Sequence, residues 1–398
     1  MEWKDFLIEP RIIDGSCVKV PGAKVIALDP GKSSMKGRTD NLTFLLQNAA
    51  EITQNEGSFR ALKKTDVFVK NENGTFVVGE IAAALIAKSS SANFEDELYG
   101  KNRYAYPRFR AILEASLALS LQSNNFGSWT PGTRIVLGIG LAPGERRETF
   151  MEETVIDNLA GHYQFEARLG NKAFEKYDFT IRKEDIYVMD QPMGALISCI
   201  TNGGGRFNHD QEHLLQETSL VMDTGFRTMD LYPIAGGVLA GKPRTFDNLA
   251  MMEVYESCIR DIKENYGNTL TLSEFQYAVK KGFFMAGNWH RGQARKTRVE
   301  DILIRNSMAV CNMAIDKILN LYDGLQEYSN LVIAGGTGNV WMPIIRSRFR
   351  DMDGISIISA NRNETNLPNV FSNVRGFYYF TSNRLLKKRP AHSRDFKP

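Results

Sequence analysis

The sequence is poor in cysteine, in excess charge and in long apolar runs. Its 398 residues include only four cysteines, Cys17, Cys199, Cys258 and Cys311, and no two of them form a CxxC pair. This spacing supports neither a zinc knuckle nor a dense disulfide framework, and it fits a reducing cytoplasm. The 49 basic and 46 acidic side chains nearly cancel, so the net charge of +3 gives no reason to expect direct binding to nucleic acid.

No stretch approaches the roughly 20 apolar residues that span a bilayer. The first residues, MEWKDFLIEP, carry acids where a secretory signal peptide has a basic region followed by an apolar run. We therefore expect a cytoplasmic protein with no direct membrane contact. The hydrophobic fraction of 43% and the charged fraction of 24% are those of a globular chain, and the length predicts two domains.

Strand and helix patterns alternate along the chain. Buried-strand patterns occur at 24–28, 66–70, 75–78, 134–139, 187–189, 219–224 and 330–334, and helical periodicity occurs over 107–122, 151–159, 248–266, 272–281 and 297–321. This alternation predicts a mixed α/β protein.

The turn after the first buried strand contains Gly31-Lys32-Ser33, the last three letters of the phosphate loop GxxxxGK[ST]. That loop requires another glycine five residues before Gly31, where this chain has Ile26 within a strand. A turn-forming stretch also follows Ser33 closely, where the loop would need a helix. The segment is therefore not a P-loop.

A strand, turn and strand centred on Asp29, Gly31 and Lys36 describes the same segment better. A glycine lets backbone N–H groups approach phosphate oxygens without a Cβ in the way. A lysine on the return strand can reach back to the phosphates as a point charge, and an acid at the strand end can hold Mg²⁺ through its water shell. The hairpin is thus predicted to bind phosphate and metal.

The same ingredients occur again about two hundred residues later. Asp223, Gly225 and Thr228 follow a second buried strand, and a third strand runs into the glycine-rich turn 335–338. Acid-glycine turns also end ordinary β-hairpins, so either one alone is a weak signal. Two such hairpins followed by a glycine-rich turn predict that both hairpins grip one nucleotide, with the bare backbone of 335–338 at its adenine and ribose.

These three segments resemble a known superfamily. VIALDPGKSSMKG, SLVMDTGFRTMDLY and LVIAGGTGNV are similar, in order and spacing, to the first phosphate hairpin, the second phosphate hairpin and the adenosine segment of the actin, sugar-kinase and heat-shock ATPase superfamily. DTGFRTMDL and FSNVRGFYYF resemble the bacterial actin-like proteins of the plasmid-partitioning ParM type. In IYVMDQPMGALIS, Gln191 matches the place where actins carry a catalytic glutamine.

The resemblance implies a two-lobed actin-like ATPase fold, each lobe with a five-stranded mixed sheet of the ribonuclease H type flanked by helices. The expected domains are 1–195 with 375–398, and 196–374. ATP, with GTP as an alternative, and Mg²⁺ are the implied cofactors. The implied catalytic residues are Gln191, Lys36 and Asp223, with Asp29 and Asp223 holding the metal through water. The implied nucleotide contacts are Asp29, Gly31, Lys32, Ser33, Ser34, Lys36, Thr224, Gly225, Thr228, Glu253, Gly335, Gly336, Thr337 and Gly338.

The implied function is slow ATP hydrolysis coupled to filament assembly, because a glutamine can orient water but is too weakly basic to take its proton. Its partners would be other copies of the chain and a DNA-binding adaptor that links the filament to a plasmid or other DNA. Two alternatives stay open: a small-molecule kinase of the sugar-kinase type on the same fold, and an ATP-binding scaffold that does not polymerise.

Overall fold

The computed structural model describes residues 1–7, 9–54, 62–86, 97, 100, 102–122, 130–146, 148–208, 211, 213–287 and 295–387. The chain forms two compact units. The larger unit comprises Glu9–His209 and Phe371–Pro398, and the smaller unit comprises Met1–Ile8 and Asp210–Val370. The domain boundaries expected at 1–195 with 375–398 and at 196–374 stay a prediction.

The strands follow the apolar segments of the sequence, with glycine or polar turns between them. In chain order they are β1 (Arg11–Asp14), β2 (Ala23–Pro30), β3 (Ser34–Arg38), β4 (Leu42–Gln47), β5 (Ala50–Ile52), β6 (Val67–Asn71), β7 (Gly74–Val78), β8 (Arg134–Leu141), β9 (Gly161–Leu169), β10 (Glu175–Ile181), β11 (Ile186–Asp190), β12 (Ser219–Thr224), β13 (Met229–Ala235), β14 (Val238–Leu239), β15 (Arg244–Phe246), β16 (Phe283–Ala286), β17 (Arg295–Arg298), β18 (Asn330–Ala334) and β19 (Ser356–Ser359).

Helices occupy the five segments with helical periodicity, and further helices lie outside them, including two near the C-terminal end of the described chain. In chain order they are α1 (Glu80–Ile86), α2 (Pro107–Leu121), α3 (Pro143–Arg146), α4 (Met151–Leu159), α5 (Gln191–Ile200), α6 (His213–Gln216), α7 (Met251–Tyr266), α8 (Leu272–Lys281), α9 (Glu300–Leu321), α10 (Gly336–Arg348) and α11 (Ser372–Lys387). Among the described residues, no helix has both the length and the apolar character needed to cross a bilayer.

The larger unit is built on a mixed sheet with the strand order β1-β4-β3-β2-β8-β11. Strands β2 and β3 form an antiparallel hairpin, whereas β2 pairs with β8, and β8 with β11, in parallel. Buried parallel strands read as continuous apolar runs, as β2 and β8 do. Beside this sheet lies a second, antiparallel sheet with the order β10-β9-β6-β7-β5.

The main sheet of the smaller unit repeats this arrangement. Its order is β14-β13-β12-β18-β19, with β15 also paired to β13. Strands β12 and β13 form an antiparallel hairpin, and β12, β18 and β19 run parallel. The mixed α/β fold with a ribonuclease H-like sheet in each lobe is therefore confirmed. Each main sheet has six strands where five were expected, because β1 adds to the edge of one sheet and β14 and β15 both pair with β13 in the other.

The C-terminal helix α11 packs on α5 and on strands of the larger unit, and glycines make the close approach possible. A Cβ added at Gly376 would overlap the Gly194 carbonyl oxygen, and one added at Gly194 would lie 2.7 Å from the Asn373 carbonyl oxygen. The ring of Phe377 fills the space over Gly140. This packing holds α5 in place, and Gln191, the proposed catalytic glutamine, is the first residue of that helix.

Candidate functional site

The β2–β3 hairpin places an acid and a lysine side by side at the end of a buried strand. Asp29 lies opposite Lys36 in the antiparallel register, so both side chains point to the same face. The Lys36 Nζ is 3.2 Å from the Asp29 Oδ2, and the two side chains are only 13% and 3% exposed. The sequence placed both residues on one hairpin, which the structure contains, but it predicted no ion pair between them.

Gln191 reaches the same carboxylate from another element. It is the first residue of α5 and follows β11 directly, and its Nε2 donates a hydrogen bond to the Asp29 Oδ1 at 2.8 Å. Since β2, β8 and β11 are parallel, their carboxyl ends meet at one edge of the sheet, which is where open α/β sheets bind ligands. Three residues predicted from distant parts of the sequence thus form one cluster.

The turn between β2 and β3 is held open by a residue that the sequence analysis missed. The Asn48 side-chain amide donates to the Gly31 carbonyl oxygen at 3.3 Å, and its backbone N–H donates to the Ser33 carbonyl oxygen at 3.1 Å. A Cβ at Gly31 would lie 2.5 Å from the Lys36 Nζ, so this glycine leaves room for the ammonium group. Asn48 follows β4, and no local pattern marks it as a brace for the turn.

The hydroxyl of Ser34, at the start of β3, is buried and has no hydrogen-bond partner among the described residues. Lys32 and Ser33, in the turn itself, are half-buried. A buried hydroxyl without a partner costs free energy, and such groups in native proteins usually meet a ligand, an ion or water. The hydroxyl of Ser34 is thus a donor that a phosphate oxygen could satisfy.

A buried ionic cluster stands close to Asp29. Arg103 donates two hydrogen bonds to the Glu145 carboxylate, at 2.9 and 3.2 Å, and a third to the Tyr104 hydroxyl at 2.9 Å. Burial raises the pKa of the Tyr104 phenol, an effect that Arg103 opposes and the negative charge of Asp29 increases. Tyr104 therefore stays a neutral hydroxyl near the site. The sequence analysis assigned no role to Arg103 or Tyr104.

The β12–β13 hairpin carries two facing carboxylates in place of an acid and a lysine. Asp223 lies opposite Asp230, and the two residues are 8% and 6% exposed. The hydroxyl of Thr228 donates to Asp230 at 3.1 Å, and that of Thr245 donates at 2.6 Å. The Gly225 N–H closes the turn by donating to the Thr228 carbonyl oxygen at 2.9 Å. Thr228 is therefore engaged with Asp230, which the sequence analysis did not single out.

Asp223 and Asp230 place two carboxyl groups side by side across the hairpin, and carboxylate oxygens are ligands that Mg²⁺ takes. No group of three or more histidine, cysteine, aspartate or glutamate side chains in the described ranges is arranged to hold a metal ion. A metal here would complete its coordination with water or ligand oxygens, as Mg²⁺ commonly does. A signal for Asp230 existed, because it lies two residues after Thr228, at the second position of β13.

The glycine-rich segment after β18 contacts the second hairpin. Gly335 has φ +81°, and a Cβ there would lie 2.7 Å from the Asp223 Oδ1 and would overlap the Thr224 carbonyl oxygen. The Thr337 hydroxyl donates to the Gly225 carbonyl oxygen at 2.6 Å. The structure therefore brings this segment and the turn into contact, whereas the predicted contact of 335–338 with a nucleotide stays a prediction.

The glycine-rich segment itself differs from the expected turn, because Gly336, Thr337 and Gly338 form the first turn of helix α10. Thr337 and Gly338 are buried, and a Cβ at Gly338 would lie 2.9 Å from an Ile333 methyl carbon. Sequence periodicity missed this helix start, since glycines are rare in helices. The Thr224 hydroxyl, which is buried beneath this segment, has no hydrogen-bond partner in the part of the chain that is described.

Glu253 lies in the first turn of α7, next to the second hairpin. The N–H of Met252 donates to the Phe226 carbonyl oxygen at 2.8 Å, which ties the start of α7 to the 225–228 turn. The Glu253 carboxylate accepts hydrogen bonds from Arg260 at 2.7 Å and from Ser257 at 3.2 Å, both on the same helix. Its predicted contact with the nucleotide stays a prediction.

No protein-family model and no curated protein sequence matches the chain. Solved structures do match it, along nearly the whole length of both chains. A 15-stranded ParM filament from Clostridium botulinum is 18% identical, with a TM-score of 0.65 over 91% of this chain and 99% of that one. The archaeal actin homologue Ta0583 in complex with ADP is 16% identical, with a TM-score of 0.62 over 90% and 99%.

Bacillus thuringiensis ParM with ATP is 15% identical to the chain, with a TM-score of 0.60 over 92% of this chain and 100% of that one. At these identities the likeness shows the fold. It agrees with the mixed sheet that contains an antiparallel hairpin in each unit. The chain therefore has the two-lobed actin-like fold of ParM and other bacterial and archaeal actin homologues.

Proposed function

We propose that the chain is an actin-like ATPase that forms filaments in a nucleotide-dependent manner and drives the segregation of a plasmid or other DNA. The observation that carries the proposal is the buried cluster in which Lys36 and Gln191 hold the two oxygens of Asp29. Solved structures of the same fold are described as a filament, as a complex with ADP and as a protein with ATP.

In the larger unit, phosphate would be bound by the turn at Gly31 and by Lys36. The Lys36 ammonium group lies so close to Gly31 that a side chain at residue 31 would displace it. The glycine therefore lets the ammonium group sit next to the backbone of the turn. The unpartnered hydroxyl of Ser34 adds a hydrogen-bond donor to the same hairpin. A turn backbone, a lysine and a hydroxyl together make a suitable phosphate cradle.

The smaller unit would contribute negative charge for a metal and backbone for the nucleoside. The facing carboxylates of Asp223 and Asp230 suit Mg²⁺, which when bound would neutralise phosphate charge. Gly335 lets the glycine-rich segment approach Asp223 closely, and it leaves the backbone at that point without a side chain. The ATP preference, with GTP as the alternative, is part of the proposal.

Hydrolysis would depend on how Gln191 presents its amide. The side-chain N–H of Gln191 donates to Asp29, which leaves the amide oxygen to accept a hydrogen bond from a water molecule and so to orient that water. Asp29 acts on Gln191 as a positioning residue, because it fixes the direction of the amide. A glutamine cannot remove the proton from water, so turnover is slow and the lifetime of bound ATP is long.

Polymerisation would link this chemistry to DNA movement. ATP favours assembly and ADP favours disassembly if the two nucleotides stabilise different states of the chain. The near-neutral net charge gives no support to direct DNA binding, so an adaptor protein is the proposed link to the cargo.

The test combines pelleting and phosphate release on the purified chain with ATP, GTP, ADP and no nucleotide. We expect sedimenting polymer with a triphosphate, slow phosphate release, and loss of both in Asp29→Ala. Asp178→Ala is the matched control, since Asp178 is 65% exposed on β10. ADP production stimulated by added sugars would identify a kinase instead, and a monomer at every concentration with ATP bound would identify a scaffold.

A further inference from the structure

We propose that the chain assembles head to tail, with the exposed Phe150 of one copy docked into a cationic aromatic pocket between Trp3 and Phe283 of the next. The inference rests on the proposed self-assembly and names the contact that would carry it. The knob and the pocket belong to the larger and the smaller unit respectively, so each copy offers both halves of the contact.

The pocket, called the cationic pocket from here on, has a volume of about 520 Å³ and lies in the smaller unit. It is lined by two aromatic side chains, three cationic side chains and one acid, Glu300. Trp3 packs over Gly282, where an added Cβ would lie 3.2 Å from the indole ring. Its backbone N–H donates to the Glu300 carboxylate at 3.2 Å, which fixes the wall that Trp3 forms and engages the acid. Phe283 lines the pocket from the first position of β16.

Three cations surround the cationic pocket: Lys281, Lys296 and Arg298. All three are exposed, and none forms an ion pair with a carboxylate within the described residues. Lys296 and Arg298 alternate along β17, so their side chains share one face of the β16–β17 hairpin. The Lys296 Nζ lies 4.8 Å from the centre of the Phe283 ring. The fitting ligand is therefore an aromatic group accompanied by carboxylates.

Such a group is present on the larger unit of the same chain. Phe150 is 69% exposed, and it adopts φ +65° immediately before helix α4. A left-handed conformation is costly for a bulky residue, and strained residues persist mainly at functional sites. This strained, exposed aromatic residue is the knob of the proposed contact.

Acidic side chains surround the knob. Glu148, Glu152 and Glu153 flank Phe150 in sequence, and Glu148 and Glu153 are exposed. Glu152 is partly offset by Arg146, whose Nε lies 3.0 Å from it, whereas Glu153 has no ion-pair partner among the described residues. The knob therefore supplies an exposed aromatic ring together with acidic side chains that complement the three cations of the cationic pocket.

The knob and the cationic pocket are different surfaces, so the contact is heterologous. Every pair of copies therefore has an unoccupied knob at one end and an unoccupied pocket at the other. Repeated contacts of this kind build open filaments or rings, whereas a self-complementary patch stops at a dimer. A single knob is smaller than a stable interface, which buries on the order of 1,000 Å² or more, so it serves as an anchor at the centre of a wider contact.

The test uses two variants of the full chain. Phe150→Asn removes the ring but tolerates the left-handed backbone, and Lys296→Glu with Arg298→Glu reverses the charge of the pocket. We expect each to raise the critical concentration for ATP-dependent assembly about tenfold or more, as loss of an interface anchor does. Phe207→Ala, which removes another exposed aromatic side chain, and Lys176→Glu, which reverses another exposed cation, are the matched controls.

Mixing the two variants isolates the contact. The pocket of Phe150→Asn is intact and the knob of the double charge variant is intact, so the mixture should form one-to-one dimers that grow no further, as measured by sedimentation velocity with one variant labelled. Assembly of both variants like the wild type would overturn the contact alone. Loss of assembly in both without mixed dimers would also overturn it.

Nucleotide binding, measured separately with a fluorescent ATP analogue, distinguishes this inference from the proposed function. A wild-type chain that assembles without binding nucleotide contradicts the ATPase and still tests the contact. A wild-type chain that binds nucleotide but stays monomeric at every concentration overturns both the assembly and the contact.

Discussion

Asp29 is the residue on which the candidate site of the larger unit depends. One of its oxygens pairs with Lys36 and the other accepts a hydrogen bond from the Gln191 amide, so a single buried carboxylate orients both the proposed phosphate-binding lysine and the proposed water-orienting glutamine. The burial strengthens both interactions, because charge-assisted hydrogen bonds weaken when water competes for them. Changes at this carboxylate should therefore reach binding and hydrolysis together.

Changing Gln191 should affect hydrolysis alone. We expect Gln191→Ala to lower the rate of phosphate release about 100-fold, since a group that acts mainly in the transition state contributes about that much. Nucleotide affinity should stay within a few-fold of the wild type, because Lys36 and the turn are unchanged. Single-turnover phosphate release and ATP titration measure the two effects. Gln164→Ala, on the exposed face of β9, is the control.

The positioning role of Asp29 predicts a coupling between two variants. Asp29→Asn alone should slow hydrolysis and weaken binding, since Lys36 loses its ion pair. In the double variant with Gln191→Ala, hydrolysis should be little slower than in the worse single variant, because both changes remove the same oriented amide. A double-mutant cycle on the rate of phosphate release measures this. Fully additive losses would show that Asp29 does not act through Gln191.

Asp29 and Lys36 could be singled out from the sequence because they lie on a strand-turn-strand pattern, and Gln191 because it matches a family segment. Asn48 and Tyr104 could not, since Asn48 reaches the turn through a tertiary contact and Tyr104 interacts with Asp29 only through its charge. Asp230 could have been found, because its place on β13 directly opposite Asp223 puts both side chains on one face of the sheet.

At the scale of elements, the junction between β18 and α10 makes the sharpest prediction about stability. Gly335→Ala should lower the free energy of unfolding by about 3 kcal/mol or more, because the added Cβ overlaps the Thr224 carbonyl oxygen. Gly354 has a similar positive φ of +86°, but a Cβ added there would meet nothing within 4 Å, so Gly354→Ala should lower the free energy of unfolding by only about 1 kcal/mol. Chemical denaturation of both variants measures the difference, and equal losses would rule out the clash.

The two hairpins and the helices α2, α4, α7, α8 and α9 were predicted well, because buried strands next to glycine turns and long apolar periodicities are local signals. Helices α10 and α11 were not predicted. The hairpins at 29–36 and 223–228 appear as β2–β3 and β12–β13. What local signals miss is pairing over long distances. The antiparallel sheet that joins β6 to β9, about a hundred residues apart, has no signature in either strand alone.

At the scale of the whole molecule, each unit carries the same plan of an antiparallel hairpin beside two parallel strands. The hairpins differ in charge, with an acid and a lysine in the larger unit and two acids in the smaller one. Under the proposed function, the larger unit would bind phosphate directly and the smaller unit would bind it through a cation.

The proposed coupling between nucleotide state and assembly makes opposite predictions for two variants. Asp223→Ala should abolish ATP-dependent assembly, because a single carboxylate at the second hairpin holds a cation poorly. Gln191→Ala should assemble normally and then persist, because ATP is hydrolysed slowly and the triphosphate state is what favours polymer. Light scattering after a limiting addition of ATP follows growth and decay in both variants. Polymer of Gln191→Ala that decays as fast as that of the wild type would show that hydrolysis does not time disassembly, whereas normal assembly of Asp223→Ala would remove the second hairpin from the nucleotide site.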